Sequence, residues 1–113
     1  MYQGKTTIAP DVLLTIAQLT TLQVEGVSRL SHTPAKVNRL FKKGYGEGVN
    51  INVVNDTVYA DIYVVLKEDA NLREVSRTIQ YDVGRALSDM IGMQIGSVNV
   101  HIEDIDYQEN SEA

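Results

Sequence analysis

The stretch Val49–Leu66, VNINVVNDTVYADIYVVL, constrains the fold of this chain more than any other. Two runs flank Asn55-Asp56, and in both the apolar residues recur with a period of two. Val49, Ile51 and Val53 share one face of the first run. Val58, Ala60, Ile62, Val64 and Leu66 share one face of the second. Successive side chains of a strand point to opposite sides, so this period, with its β-branched enrichment, reads as strand. Asn and Asp tolerate positive φ better than other non-glycine residues, which suits them to the tight turn of a hairpin. The hairpin presents an apolar face that other segments must cover. Its second face carries Asn50, Asn52, Thr57, Tyr59, Asp61 and Tyr63. An antiparallel sheet commonly shows such a face to water, and the same face can meet a partner.

Two segments have the pattern to cover the apolar face. Ala9-Pro10-Asp11 opens a helix, with proline at its start and an acid in the first turn. Val12, Leu13, Ile16, Ala17, Leu19 and Thr20 give its apolar stripe, and it ends near Gln23. Gly26 suits a chain reversal, after which Val27 and Leu30 return to the core. The second helix starts at Asn71, an N-cap with Glu74 three residues on. Leu72, Val75, Ile79, Val83, Ala86, Leu87, Met90 and Ile91 form its inner face. Gly92 ends it and Gly96 opens a turn. In Ser97–Ile102 the alternation resumes, with Val98, Val100 and Ile102 inward and Asn99, His101 and Glu103 outward. The pattern predicts an α+β, two-layer sandwich of order α-β-β-α-β. A three-stranded sheet is covered on one face by two amphipathic helices, with Lys5–Ile8 as a candidate short extra N-terminal strand. The last strand follows a helix, so it is placed to run parallel to a hairpin strand.

The chain has 113 residues, enough for one domain with a real core. The reading is a single domain with a core over about residues 4–106, a variable basic segment at 31–48 and an acidic, fraying tail at 107–113. There is no cysteine, which excludes disulfides, thiolate nucleophiles and cysteine-based zinc sites. No apolar run approaches the ~18 residues that span a bilayer, and MYQGKTTIAPD lacks a signal-peptide core. A cytoplasmic protein is expected. The net charge of −5 argues against a general nucleic-acid binder. The charge is uneven, however. Arg29, Lys36, Arg39, Lys42 and Lys43 are clustered, with no Asp or Glu between Glu25 and Glu47. A short helix over Ala35–Lys43 is one reading of this segment. Gly44–Gly48 reads as a flexible loop. It is not a phosphate loop, because it lacks the Gly-Lys-Ser/Thr ending and precedes a strand.

The chemistry-bearing residues are few. His32 and His101 lie in different segments, and only His101 has candidate carboxylates, Glu103 and Asp61, on the same sheet surface. A metal or acid–base site needs several converging groups with support behind them. No catalytic residue, metal ligand or cofactor site is assigned, and no enzyme activity is expected. The candidate interaction face is Asn50, Asn52, Tyr59, Asp61, Tyr63, Asn99 and His101. Its tyrosines suit a protein–protein contact. They would also suit stacked RNA bases on a module of K-homology-like topology. That module needs a Gly-x-x-Gly loop between helices, which is missing, and Asp61 and Glu103 would repel phosphates. The candidate basic contact is Arg29, Lys36, Arg39, Lys42 and Lys43. Each cation near an anionic membrane is worth about 1 kcal/mol, which favours membrane approach through an anchored partner over direct binding.

Six pieces of the chain stand in a set order: Gly4-Lys5-Thr6-Thr7-Ile8-Ala9-Pro10-Asp11-Val12, then Val24-Glu25-Gly26-Val27 and the Gly48–Leu66 hairpin. Val75–Leu87, Asp89-Met90-Ile91-Gly92-Met93 and Val98-Asn99-Val100-His101-Ile102 follow. In this order and spacing, over about residues 4–106, the sequence resembles the alkaline shock protein family of bacterial envelope stress response proteins. The resemblance implies a small non-enzymatic scaffold or adaptor that self-associates, in the cytoplasm or at the inner face of the membrane. A regulatory subunit of a metabolic enzyme is a third reading.

Overall fold

The hairpin forms where its pattern places it. Strand β3 (Val49–Val54) pairs with β4 (Thr57–Lys67), from Val54 opposite Thr57 to Val49 opposite Ile62. Asn55 and Asp56 turn the chain with φ of 52° and 63°. Two successive left-handed residues give a turn whose twist matches the strands. The structure, a computed structural model, describes residues 2–32 and 45–107.

Around the hairpin lie helix α1 (Pro10–Leu22), strands β1 (Val27–Leu30) and β2 (Tyr45–Gly46), helix α2 (Leu72–Ile91) and strand β5 (Gln94–Asp106). Strand β4 is the spine. One edge pairs parallel with β5 along its full length, from Thr57 opposite Gln94 to Lys67 opposite Asp106. The other edge is shared end to end: β3 takes Thr57–Ile62 and β1 takes Val64–Leu66, both antiparallel. Tyr63 is the joint. Its N–H donates to Gly48 O at 2.8 Å, and its carbonyl accepts from Ser31 N at 2.8 Å. β2 adds to the outer edge of β3, with Tyr45 opposite Asn50.

Both helices cover the same face. Leu13, Leu14 and Ala17 of α1 and Val75, Ile79, Val83 and Leu87 of α2 join Val49, Ile51 and the inward residues of β4 in one cluster. Burying each large aliphatic side chain contributes about 1.5–3 kcal/mol. α2 begins as its cap predicts, since Asn71 Oδ1 accepts from Glu74 N at 3.0 Å. It ends at Gly92, in the left-handed conformation with φ 70°.

The α+β class and the helix-covered sheet are as expected. The strand count is not: the sheet has five strands, including the two-residue β2. β1 escaped the alternation test because the ladder shifts between Val27 and Arg29, opposite Leu66 and Val65. That bulge leaves Val27 and Leu30 facing inward three residues apart, a spacing that does not look like a strand. Lys5–Ile8 is not a strand; these residues lie exposed beside the end of α1 without a ladder. The expected loop at 44–48 contributes the pairs of Tyr45 and Gly46 to the sheet. Gly96 opens no turn but sits inside β5, which runs on through Asp104–Asp106. The proposed helix at Ala35–Lys43 and the tail at 108–113 lie outside the described residues. The stripe of α1 is Leu13, Leu14, Ala17 and Thr21, while Val12 and Leu19 are exposed. On α2, Leu72 and Met90 are exposed, so the buried face is Val75, Ile79, Val83 and Leu87.

Candidate functional site

The uncovered face of the sheet is built in rows, because cross-strand neighbours share a face. The first row is Asn52, Tyr59 and Ser97. The second is Asn50, Asp61 and Asn99. Tyr63 and His101 form the third, and Arg29, Val65 and Asp104 the fourth. All seven residues of the candidate interaction face therefore lie on one surface.

Asp61 is the centre of that surface. Its Oδ1 accepts from Asn99 Nδ2 at 3.3 Å and lies 3.0 Å from His101 Nε2. A carboxylate only accepts, so His101 carries its proton on Nε2. The His101 ring stacks on Tyr63, with centroids 4.5 Å apart and planes 13° from parallel. Burial, then the charges of Asp61 and Glu103, push the Tyr63 phenol above its ordinary pKa. Tyr59 is held differently. A Cβ built on Gly96 would fall 2.4 Å from Tyr59 Cε1, so the tyrosine ring occupies the space a side chain would need. That glycine sits where β5 carries one extra residue against Val58 and Tyr59.

The face is less solvated than alternation implies. Tyr63 is 7% exposed, Asn50 4% and Val65 1%. Tyr63 lies under His101, and Val65 is flanked in register by Arg29 and Asp104. Asn50 is no edge residue, since β2 extends its row. Its Oδ1 is buried without a hydrogen-bond partner among the described residues, as is Thr21 Oγ1 on the helix side.

Of the basic contact segment, only Arg29 is described. It is not free: Nε donates to Asp106 Oδ2 at 3.0 Å and Nη2 to Oδ1 at 3.3 Å. Ser28 Oγ donates to the same Oδ2 at 2.7 Å. These bonds, Arg29's first, hold the Asp106 carboxyl below the usual carboxylate range. Lys36, Arg39, Lys42 and Lys43 lie outside the described residues. Sequence reading missed this staple because Ser28 and Asp106 are 78 positions apart. It also missed a groove of about 670 Å³, lined by Ile8, Leu13, Ile51, Val53, Ile91 and Met93 among others. Three stretches distant in sequence meet there, and no local motif marks them.

Among the described residues, no three metal-ligating side chains converge, and no helix is long and apolar enough to cross a membrane. Asp61 with His101 is an acid–base pair, but no described hydroxyl is hydrogen-bonded to the imidazole. What the arrangement offers is a firm, mixed polar and aromatic surface.

Known proteins share this framework. YqhY, an uncharacterized protein of Bacillus subtilis (strain 168), is 28% identical over 106 residues, covering 92% of this chain and 78% of its own length. Spy1614, an uncharacterized protein of Streptococcus pyogenes serotype M6, is 26% identical over 106 residues, covering 90% and 88%. Among solved structures, the MamM CTD superposes with a TM-score of 0.52 at 16% identity, over 83% of this chain and 96% of that one. Identity that low shows a shared fold and nothing more. The sequence profile of the alkaline shock protein 23 (ASP23) family, of cell envelope-related function, matches residues 1–107, and the chain belongs to that family.

Proposed function

We propose that this protein is a non-enzymatic scaffold or adaptor of a cell-envelope process. In this reading it works in the cytoplasm, through self-association and protein contacts beside the inner face of the membrane, where an anchored partner holds it. The observation that carries the reading is the pre-set sheet face. Asp61 fixes Asn99 and His101, His101 stacks on Tyr63, and Tyr59 is seated on Gly96. Side chains already held in place lose less entropy on docking, and tyrosines supply contact area at low entropic cost. Membership of a family with cell envelope-related function supports the setting.

Light scattering across a concentration series, at low and high salt, tests the proposal. Mass should grow with concentration. Growth that survives high salt favours the sheet, and growth lost in salt favours the basic segment. A monomer mass at every concentration would defeat self-association as the main activity.

A further inference from the structure

Strand β5 is 13 residues long, and among the described residues it pairs only with β4. Its far edge offers a row of backbone donors and acceptors, a ready template for another strand. Its apolar side is also unfinished. Ile95, Val98, Val100, Ile102 and Ile105 are all only partly buried. Their register partners on β4, from Val58 to Leu66, are 0% exposed. Among the described residues, the core therefore stops one strand short of full cover.

Charge says what fits there. Glu103, Asp104 and Asp106 crowd the C-terminal part of β5, while Gln94–Val100 carries no charged residue. A parallel copy would set acids against acids, which is destabilising. An antiparallel copy sets them against the neutral end. Register follows from face matching. Ladder shifts set off Gly96 and Glu103, so the regular stretch is Ser97–Ile102. Opposed residues must share a face, so a two-fold axis has to fall on a residue. An axis on Val100 opposes Val100 to itself, Val98 to Ile102, Asn99 to His101 and Ser97 to Glu103. Every apolar residue of the regular stretch then meets an apolar one. An axis on Asn99 would leave Ile102 against glycine.

We infer that β5 is the seam of a homodimer, pairing antiparallel with β5 of a second copy about a two-fold axis at Val100. The inference rests on the self-association reading and names its surface. Dimerisation joins the two open faces into one, with the Asp61 clusters side by side across the seam.

Two substitutions of Ser97 test it by sign. Ser97 lies on the open face and would oppose Glu103 twice per dimer. Ser97→Asp should weaken the dimer about tenfold and Ser97→Lys should tighten it about tenfold, taking two opposed pairs at the usual cross-strand strength. Sedimentation equilibrium reads both, and circular dichroism checks that each variant folds. A second readout uses the absence of cysteine. Val100→Cys should give a disulfide-linked dimer under mild oxidation, and Thr78→Cys, on the exposed side of α2, should not. If the wild type associates but both Ser97 variants shift alike, or neither shifts, the seam is wrong and the scaffold reading stands on another surface. The seam is equally overturned if Val100→Cys does not cross-link. A wild type that stays monomeric would remove both.

Discussion

Gly48 shows how one residue can tie the sheet together. It adopts φ 74°, a region that side chains rarely enter. A Cβ there would lie 2.6 Å from Leu30 Cβ, 3.0 Å from Ser31 O and 3.1 Å from Tyr63 O. Two of those atoms are backbone and cannot swing aside. Gly48 sits where β3 hands over to β1 along β4, so the clash falls on the joint of the sheet. Gly48→Ala should therefore cost about 2–4 kcal/mol, from strain plus displaced backbone. Urea denaturation measures it, and a loss under 1 kcal/mol would mean the joint relaxes freely. Gly96 is the contrast. The atoms in the way there belong to the side chain of Tyr59 and not to backbone, so a substitution would unseat one ring and leave the ladder in place. The loop of glycines around position 46 was legible as irregular chain, but the demand on Gly48 comes from Leu30, Ser31 and Tyr63, which local sequence does not place.

Strands show the same division. β3, β4 and the middle of β5 were legible because each has a regular stretch with one apolar side. β1 was not, because its bulge breaks the alternation and its side-chain partners lie far along the chain. Arg29 and Ser28 reach across β4 to Asp106 and fasten β1 to β5. The Asp106 carboxyl is held below its ordinary pKa by those bonds. A group with a depressed folded-state pKa stabilises above its unfolded value, near 4, and loses that contribution as pH falls through the folded value. Stability should therefore decline below about pH 4 with a component that Asp106→Asn removes. Comparing the two proteins by denaturation between pH 2 and 7 tests it; identical pH profiles would show that the staple carries no stability. High salt should flatten the wild-type profile as well, since both side chains are well exposed.

The packing of the described residues predicts one cooperative unit. A single cluster contains residues of α1, α2, β3 and β4, with Ile79, Val83 and Leu87 at 0% exposure. Ile79→Ala should cost about 2–5 kcal/mol. It should lower the transition of every probe together, so far-ultraviolet circular dichroism and tyrosine fluorescence must give the same midpoint. Split midpoints would mean that α2 unfolds by itself. The same view separates the two faces of the sheet. The helix-covered face is taken up by the core, while the open face and, among the described residues, the far edge of β5 are left unpaired by strand or helix, and these are the surfaces the proposed scaffold would use.

Sequence alone determined the elements whose physics is local. Period-two alternation specified the hairpin, an Asn71 cap and a left-handed Gly92 bounded α2, and the candidate face followed from which residues alternate outward. It also grouped Asp61, Asn99 and His101 on one surface, because register follows from alternation once strands pair. Only the tertiary structure decided which side of β4 each strand takes, that β1 and β3 share an edge, and that Arg29 is committed to Asp106. Those outcomes depend on contacts between residues tens of positions apart, and their energies appear only when the chain has closed the loops between them.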